Sequence, residues 1–140
     1  MPLKIPKSHL DLITGPCFAA LTTVMPDGRP QTTPVWCNGG EDYVLINTMR
    51  GFRKERNMRG NPRVSLLAFD PRNPLRQVEV RGLAAEMTEE NAEEHLDELT
   101  RLYLNKPGAR FFGDSVAPEL RATHIPVRVK IIPTRIRVEG

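Results

Sequence analysis

Residues 17–48 read CFAALTTVMPDGRPQTTPVWCNGGEDYVLINT, and this stretch decides the fold class. Positions 17–24 are a run of small and β-branched residues, the composition of a strand. Pro26-Asp27-Gly28 then supplies a turn, because proline presets φ and glycine accepts a positive φ. A second strand follows over 29–37, Asn38-Gly39-Gly40 provides another turn, and 43–48 form a third strand. Successive strands joined by tight turns make an antiparallel meander, the opening of a β-barrel.

Working outward, residues 8–12 predict a short helix stopped at Gly15-Pro16. Beyond the meander, 51–59 break the β pattern as a short helix ended by Gly60-Asn61-Pro62. The apolar run over 63–69 reads as a strand buried on both faces. A loop is expected over 70–74, then an alternating strand over 77–86 in which Gly82 marks a bulge or a close approach. Thr88 opens a helix with Glu89 and Glu90 in its first turn, where the dipole favours acids. Ala92, Leu96, Leu99 and Tyr103 share one face of that helix, and Lys106-Pro107-Gly108 ends it. Residues 109–123 look irregular, and 125–138 read as a last strand interrupted at Pro133. The expectation is one domain over residues 1–140: mainly β with flanking helices, a six-stranded antiparallel barrel.

The net charge of +3 is unevenly spread. Residues 50–63 hold Arg50, Arg53, Lys54, Arg56, Arg59 and Arg63 against the single acid Glu55. Residues 86–98 carry seven acids and no lysine or arginine. So local a basic cluster fits an anionic small molecule better than a nucleic-acid surface, and an aromatic content of 6% offers little for base stacking. No apolar run approaches the ~20 residues a spanning helix needs. The first residues lack the apolar core of a signal peptide, so a cytoplasmic protein without membrane partners is expected. Cys17 and Cys37 lie in strands and read as reduced thiols, and the cysteines and histidines are too few and scattered for a metal site. His9, His95 and His124 are isolated from any nucleophile; His95, among acids, reads as a surface residue, and His124 falls in a loop before the last strand. Such a chain suits hydride chemistry, in which a cofactor reacts and the protein orients it.

The basic segment itself reads Asn47-Thr48-Met49-Arg50-Gly51-Phe52-Arg53-Lys54-Glu55-Arg56-Asn57-Met58. A strand ends in amide and hydroxyl residues, passes a glycine and enters a helix with cations in its first turn. Free N–H groups at a helix start bind phosphate, whereas cations there are unfavourable unless an anion is near. Two readings stand: a phosphate site, or a solvated helix whose arginine stems cover barrel surface.

The stretches Gly28-Arg29-Pro30-Gln31-Thr32-Thr33-Pro34-Val35-Trp36, Arg53-Lys54-x-Arg56-Asn57-Met58 and Asn61-Pro62-Arg63-Val64-Ser65-Leu66 resemble, in that order, the pyridoxamine-phosphate-oxidase-like split-barrel superfamily. Asn73-Pro74-Leu75-Arg76-Gln77-Val78-Glu79-Val80-Arg81-Gly82 and the helix over 92–104 resemble its coenzyme F420 (deazaflavin)-dependent reductase branch. The likeness covers residues 15–138. It implies a homodimeric split barrel with cofactor sites at the subunit interface. It further implies that Thr33, Pro34, Val35 and Trp36 run beside an isoalloxazine-type ring, and that Asn47 and Thr48 contact the ring or ribityl chain. Arg53, Lys54 and Asn57 would hold phosphate, with Arg76 and Gln77 reaching in from the same or the partner chain. Many relatives carry arginine where this chain has Phe52, so Arg50 or Arg53 must supply the second cation. Relatives that oxidise pyridoxine phosphate are longer and end in an arginine-rich substrate segment not found here. The expected function is an oxidoreductase transferring a hydride between F420 and a small organic substrate. The alternatives are an FMN enzyme of the same fold or a non-catalytic flavin- or heme-binding module.

Overall fold

Trp36 carries the chain from one edge of a seven-stranded antiparallel sheet to the other. The computed structural model describes residues 3–140. Its elements are α1 (Asp11–Thr14), β1 (Phe18–Val24), β2 (Pro30–Val35), β3 (Cys37–Gly39), β4 (Val44–Met49), α2 (Arg53–Gly60), β5 (Arg63–Asp70), β6 (Asn73–Thr88), α3 (Ala92–Leu104) and β7 (Pro126–Glu139). Two short helical turns, Phe111–Ser115 and Pro118–Ala122, occupy the stretch expected to be irregular.

The strand order is β2-β1-β5-β6-β7-β4-β3. Six strands are predicted from the sequence and seven are found, because 29–37 is not one strand. Val35 pairs with Ala19 of β1, whereas Cys37, two residues on, pairs with Ile46 of β4. The two edge strands are therefore consecutive in the chain, and the sheet curls so that one residue, Trp36, spans from one edge to the other. Nothing in the residue pattern marks this change of partner, since β propensity runs unbroken through Trp36.

Smaller corrections have local causes. The N-terminal helix lies at Asp11–Thr14 rather than 8–12. Asn38 and Gly39 belong to β3, so the turn expected at 38–40 is shifted toward Tyr43. The loop expected over 70–74 shrinks to Pro71-Arg72, with Asp70 opposite Asn73, and β6 runs for 16 residues. Gly82 is a bulge and a close approach, as expected: the register shifts between Arg81 and Gly82, and a Cβ there would strike the Ile132 carbonyl. Pro133 sits opposite that bulge, where its missing N–H is tolerated.

The barrel interior is filled by Leu21, Ile46, Leu66, Val80, Val129 and Ile131, all fully buried. Strand β5 buries Val64, Leu66 and Ala68, but Ser65, Leu67 and Phe69 stay half-covered in a single chain. Burial of both its faces, as the sequence suggests, is thus not met within one chain. Helix α3 lies on β4 and β7 with Ala92, His95, Leu96, Leu99 and Thr100 buried.

Candidate functional site

Strand β4 delivers Asn47 and Thr48 to the barrel rim, and Gly51, at φ +86°, turns the chain into α2. A cavity of ≈ 470 Å³ opens there between β1, the Trp36 seam, β4, α2 and α3. Trp36, Phe52, Leu96, Leu99, Tyr103 and Phe111 give it apolar walls. Trp36 stacks on Tyr103 with centroids 5.2 Å apart and meets Phe111 edge-on at 6.3 Å. The Tyr103 hydroxyl accepts the Cys37 N–H at 3.0 Å and donates to the Cys17 carbonyl at 3.1 Å, so α3 clasps both sides of the seam. Burial raises the Tyr103 phenol well above its ordinary range and pushes the Cys37 thiol up to about 12, so neither is a ready proton donor or nucleophile.

The polar end of the cavity is incomplete in itself. Among the described residues Asn47 Oδ1 and Thr48 Oγ1 are buried without a hydrogen-bond partner, as is Thr33 Oγ1 on the inward face of β2. Buried polar atoms are normally paired, so Asn47 and Thr48, which line the cavity, can meet the hydrogen-bonding edge of a ligand, whereas Thr33 lies outside the lining. Lys54 also lines the cavity, and burial of its ammonium holds its pKa below that of an ordinary lysine. Among the described residues no carboxylate lies within ion-pair distance of Arg53, Lys54 or Arg56. Arg53 makes only a 3.5 Å contact to Asn57 Oδ1. Their neighbours are matched: Arg50 donates to both Glu89 oxygens at 2.5 and 2.6 Å, and Arg59 pairs with buried Glu55. Glu55 also accepts the Gly51 N–H at 2.8 Å, taking one amide that an anion would otherwise use.

The sequence pattern of the pyridoxamine 5'-phosphate oxidase family matches residues 5–129. The chain belongs to this family. It is 35% identical over 104 residues to a pyridoxine/pyridoxamine 5'-phosphate oxidase of Bacteroides thetaiotaomicron, covering 74% of this chain and 47% of that protein. It is 38% identical over 79 residues to the protein of the same name from Rubrobacter xylanophilus, covering 56% of this chain and 36% of that one. The chain thus spans half or less of the length of these curated relatives. Among solved structures it superposes on an F420 reductase with a TM-score of 0.78 and 26% identity, over 95% of this chain and 98% of the other. A conserved hypothetical protein from Mycobacterium tuberculosis shares the fold, with a TM-score of 0.70 and 24% identity over 99% of this chain and 87% of that one. This is a pyridoxamine 5'-phosphate oxidase-like split barrel with F420 reductase resemblance.

In this split barrel Pro34, Val35, Trp36, Asn47, Thr48 and Lys54 come together around the cavity. Thr33 shares the face of Val35, and Arg53 precedes Lys54 on α2. Asn57 is buried beneath α2, its amide donating to Thr23 Oγ1 at 3.0 Å. Arg50 is turned away to Glu89. Arg76 and Gln77 lie at the start of β6, outside the cavity lining of one chain. Arg76 bonds both Asp11 oxygens (2.6 and 3.0 Å), and Gln77 donates to Glu139 at 3.3 Å.

Of the apolar wall residues, Leu96, Leu99 and Tyr103 are legible in the sequence only as core, by their helical spacing, and Phe111 not at all. The surface reading of His95 is corrected, since only 5% of it is exposed. Its acidic neighbours mask a position three residues after Ala92 and four before Leu99, squarely on the buried face. His9 is buried too, with Nε2 on the Glu139 carbonyl at 2.8 Å. His124 meets Phe52 edge-on at 5.9 Å, beside the cavity mouth.

Proposed function

We propose that the chain is an oxidoreductase that transfers a hydride between coenzyme F420 and a small organic substrate, working as a homodimer. One observation carries this reading: the uncompensated, half-buried Lys54 shares a cavity with the unpartnered Asn47 Oδ1 and Thr48 Oγ1. A planar ring with a polar edge and an anionic tail satisfies both at once. F420 in particular is supported by the further unpaired cations Arg53 and Arg56, which suit its phosphodiester and acidic tail. The likeness to an F420 reductase over nearly the whole chain supports the same choice.

When bound, the deazaflavin ring would supply the hydride chemistry. The protein's own residues bind and orient. Trp36, stacked on Tyr103, forms a flat wall of the cavity and would keep water off a bound ring. Asn47 and Thr48 would meet its polar edge, while Lys54 and Arg53 would hold its phosphate. Burial keeps the Tyr103 phenol protonated, so its part here is to hold the seam and the Trp36 wall in place.

FMN is the second reading, and the Arg50–Glu89 pair favours it, because withdrawing that cation suits a ligand with one compact phosphate. Paired fluorescence titrations with F420 and FMN, at low and high salt, decide between them. Tighter F420 binding that weakens with salt is expected, since exposed charges are screened beyond ~8 Å at physiological ionic strength. Tight FMN binding with no F420 quenching would reverse the cofactor choice.

A further inference from the structure

Two groups that can only accept hydrogen bonds, one at each end, set the direction of a chain that runs from the surface at Glu98, beneath α3, to a residue lining the cavity. At the inner end, Asn47 Nδ2 donates to the Ala92 carbonyl at 2.9 Å. A carbonyl cannot donate, so the carboxamide cannot be turned the other way round. Its second N–H points at His95 Nδ1, 3.1 Å away, which must therefore accept. At the outer end, Asn38 Nδ2 donates to a Glu98 carboxylate oxygen at 3.3 Å, leaving Asn38 Oδ1 as an acceptor. His95 Nε2 lies 2.8 Å from that oxygen and must carry the proton. Every bond then runs one way, from Asn47 through His95 and Asn38 to Glu98.

Both N–H groups of Asn47 are consumed by this arrangement, and its Oδ1 remains buried and unpartnered on a residue that lines the cavity. The other tautomer of His95 would set N–H against N–H at Asn47 and lone pair against lone pair at Asn38. A protonated ring would lose the Asn47 bond as well. We propose that His95 is a positioning residue: it holds the Asn47 carboxamide with Oδ1 facing the cavity, preset to accept an imide N–H from a bound flavin or deazaflavin ring. The ligand half of this inference rests on the function proposed above; the hydrogen-bond chain does not. Arg128, Glu94 and Glu98 face the same polar recess as His95. Burial and the Arg128 charge keep the ring neutral, with its pKa lowered to about 4.

The first test needs neither ligand nor variant. Nitrogen-15 NMR of the His95 ring at neutral pH is expected to give the neutral tautomer protonated on Nε2. A proton on Nδ1, or on both nitrogens, would overturn the proposal. The second test compares whichever of F420 or FMN binds more tightly with its analogue methylated at the imide nitrogen. The parent is expected to bind the native protein roughly three- to tenfold better, the scale of one net hydrogen bond. In His95→Leu this preference should vanish, and in His95→Gln, whose amide can accept from Asn47 and donate to Asn38, it should return. An equal preference in the native protein and His95→Leu would overturn the assignment. Should neither cofactor bind the native protein, the functional reading fails together with the ligand half of this proposal, while the ring tautomer still decides the chain itself.

Discussion

Lys54 is held where its charge is poorly hydrated and unmatched, an arrangement that disfavours the folded protein until an anion arrives. Its pKa is lower folded than unfolded, so the unfolded chain holds the proton more tightly and the group opposes folding at neutral pH. Lys54→Met keeps the stem and removes the charge. Its Tm should therefore not fall, while cofactor affinity drops about tenfold or more, as expected for losing a charge-assisted contact of ~1.5–3 kcal/mol. Arg72→Ala, in the exposed β5–β6 turn, is the control, and equal losses from both would reduce the phosphate contact to general electrostatics. Because a bound anion favours the ammonium, affinity should decline as pH rises through the free-state pKa of Lys54, earlier than an ordinary lysine would allow. Dissociation constants measured across that range in native and Lys54→Met protein check the sign. His95 gives a second pH signature: with its pKa depressed from 6.5 to about 4, its stabilising effect is full above 6.5 and is lost as pH falls toward 4. Urea titrations across that window should show stability falling with acid, and His95→Gln should flatten its share of the slope.

The seam at Trp36 depends on an element far away in sequence, helix α3, whose Tyr103 hydroxyl takes up the Cys37 N–H. Tyr103→Phe keeps the stacked ring but orphans that amide, a loss of ~1–3 kcal/mol. It should lower the urea midpoint without changing the m-value; an unchanged midpoint would mean that the hydroxyl does not hold the seam. Seams of this kind are what the sequence conceals. Turns at Pro26-Asp27-Gly28 and Gly60-Asn61-Pro62, the alternation in β6 and the apolar face of α3 are local signals, and all were legible. Where a strand exchanges partners is a tertiary property, and nothing local to Trp36 records it. The cavity's basic, amide and hydroxyl residues, Lys54, Asn47 and Thr48, could be read because they cluster between a strand end and a helix start. Asn57 carries the same local signature, yet it is consumed by Thr23 across the barrel. Which cations have partners was equally hidden, because Glu89 lies 39 residues from Arg50.

At the scale of the whole molecule, apolar surface remains that one chain does not cover. Leu83 and Ile132 face each other across β6 and β7 and are 40% and 39% exposed, while Phe18 on β1 is 62% exposed. At ~25 cal/mol per Å², leaving such side chains in water forgoes on the order of 1 kcal/mol each. The half-covered outer face of β5 adds to the same deficit. Closed two-fold pairing buries one patch twice with a single self-complementary surface. Phe52, at the cavity, is likewise 46% exposed. The protein is therefore expected to be a dimer, and light scattering at micromolar concentration should return twice the 15.8 kDa chain mass, with or without cofactor. A 15.8 kDa species under those conditions would rule out the dimer.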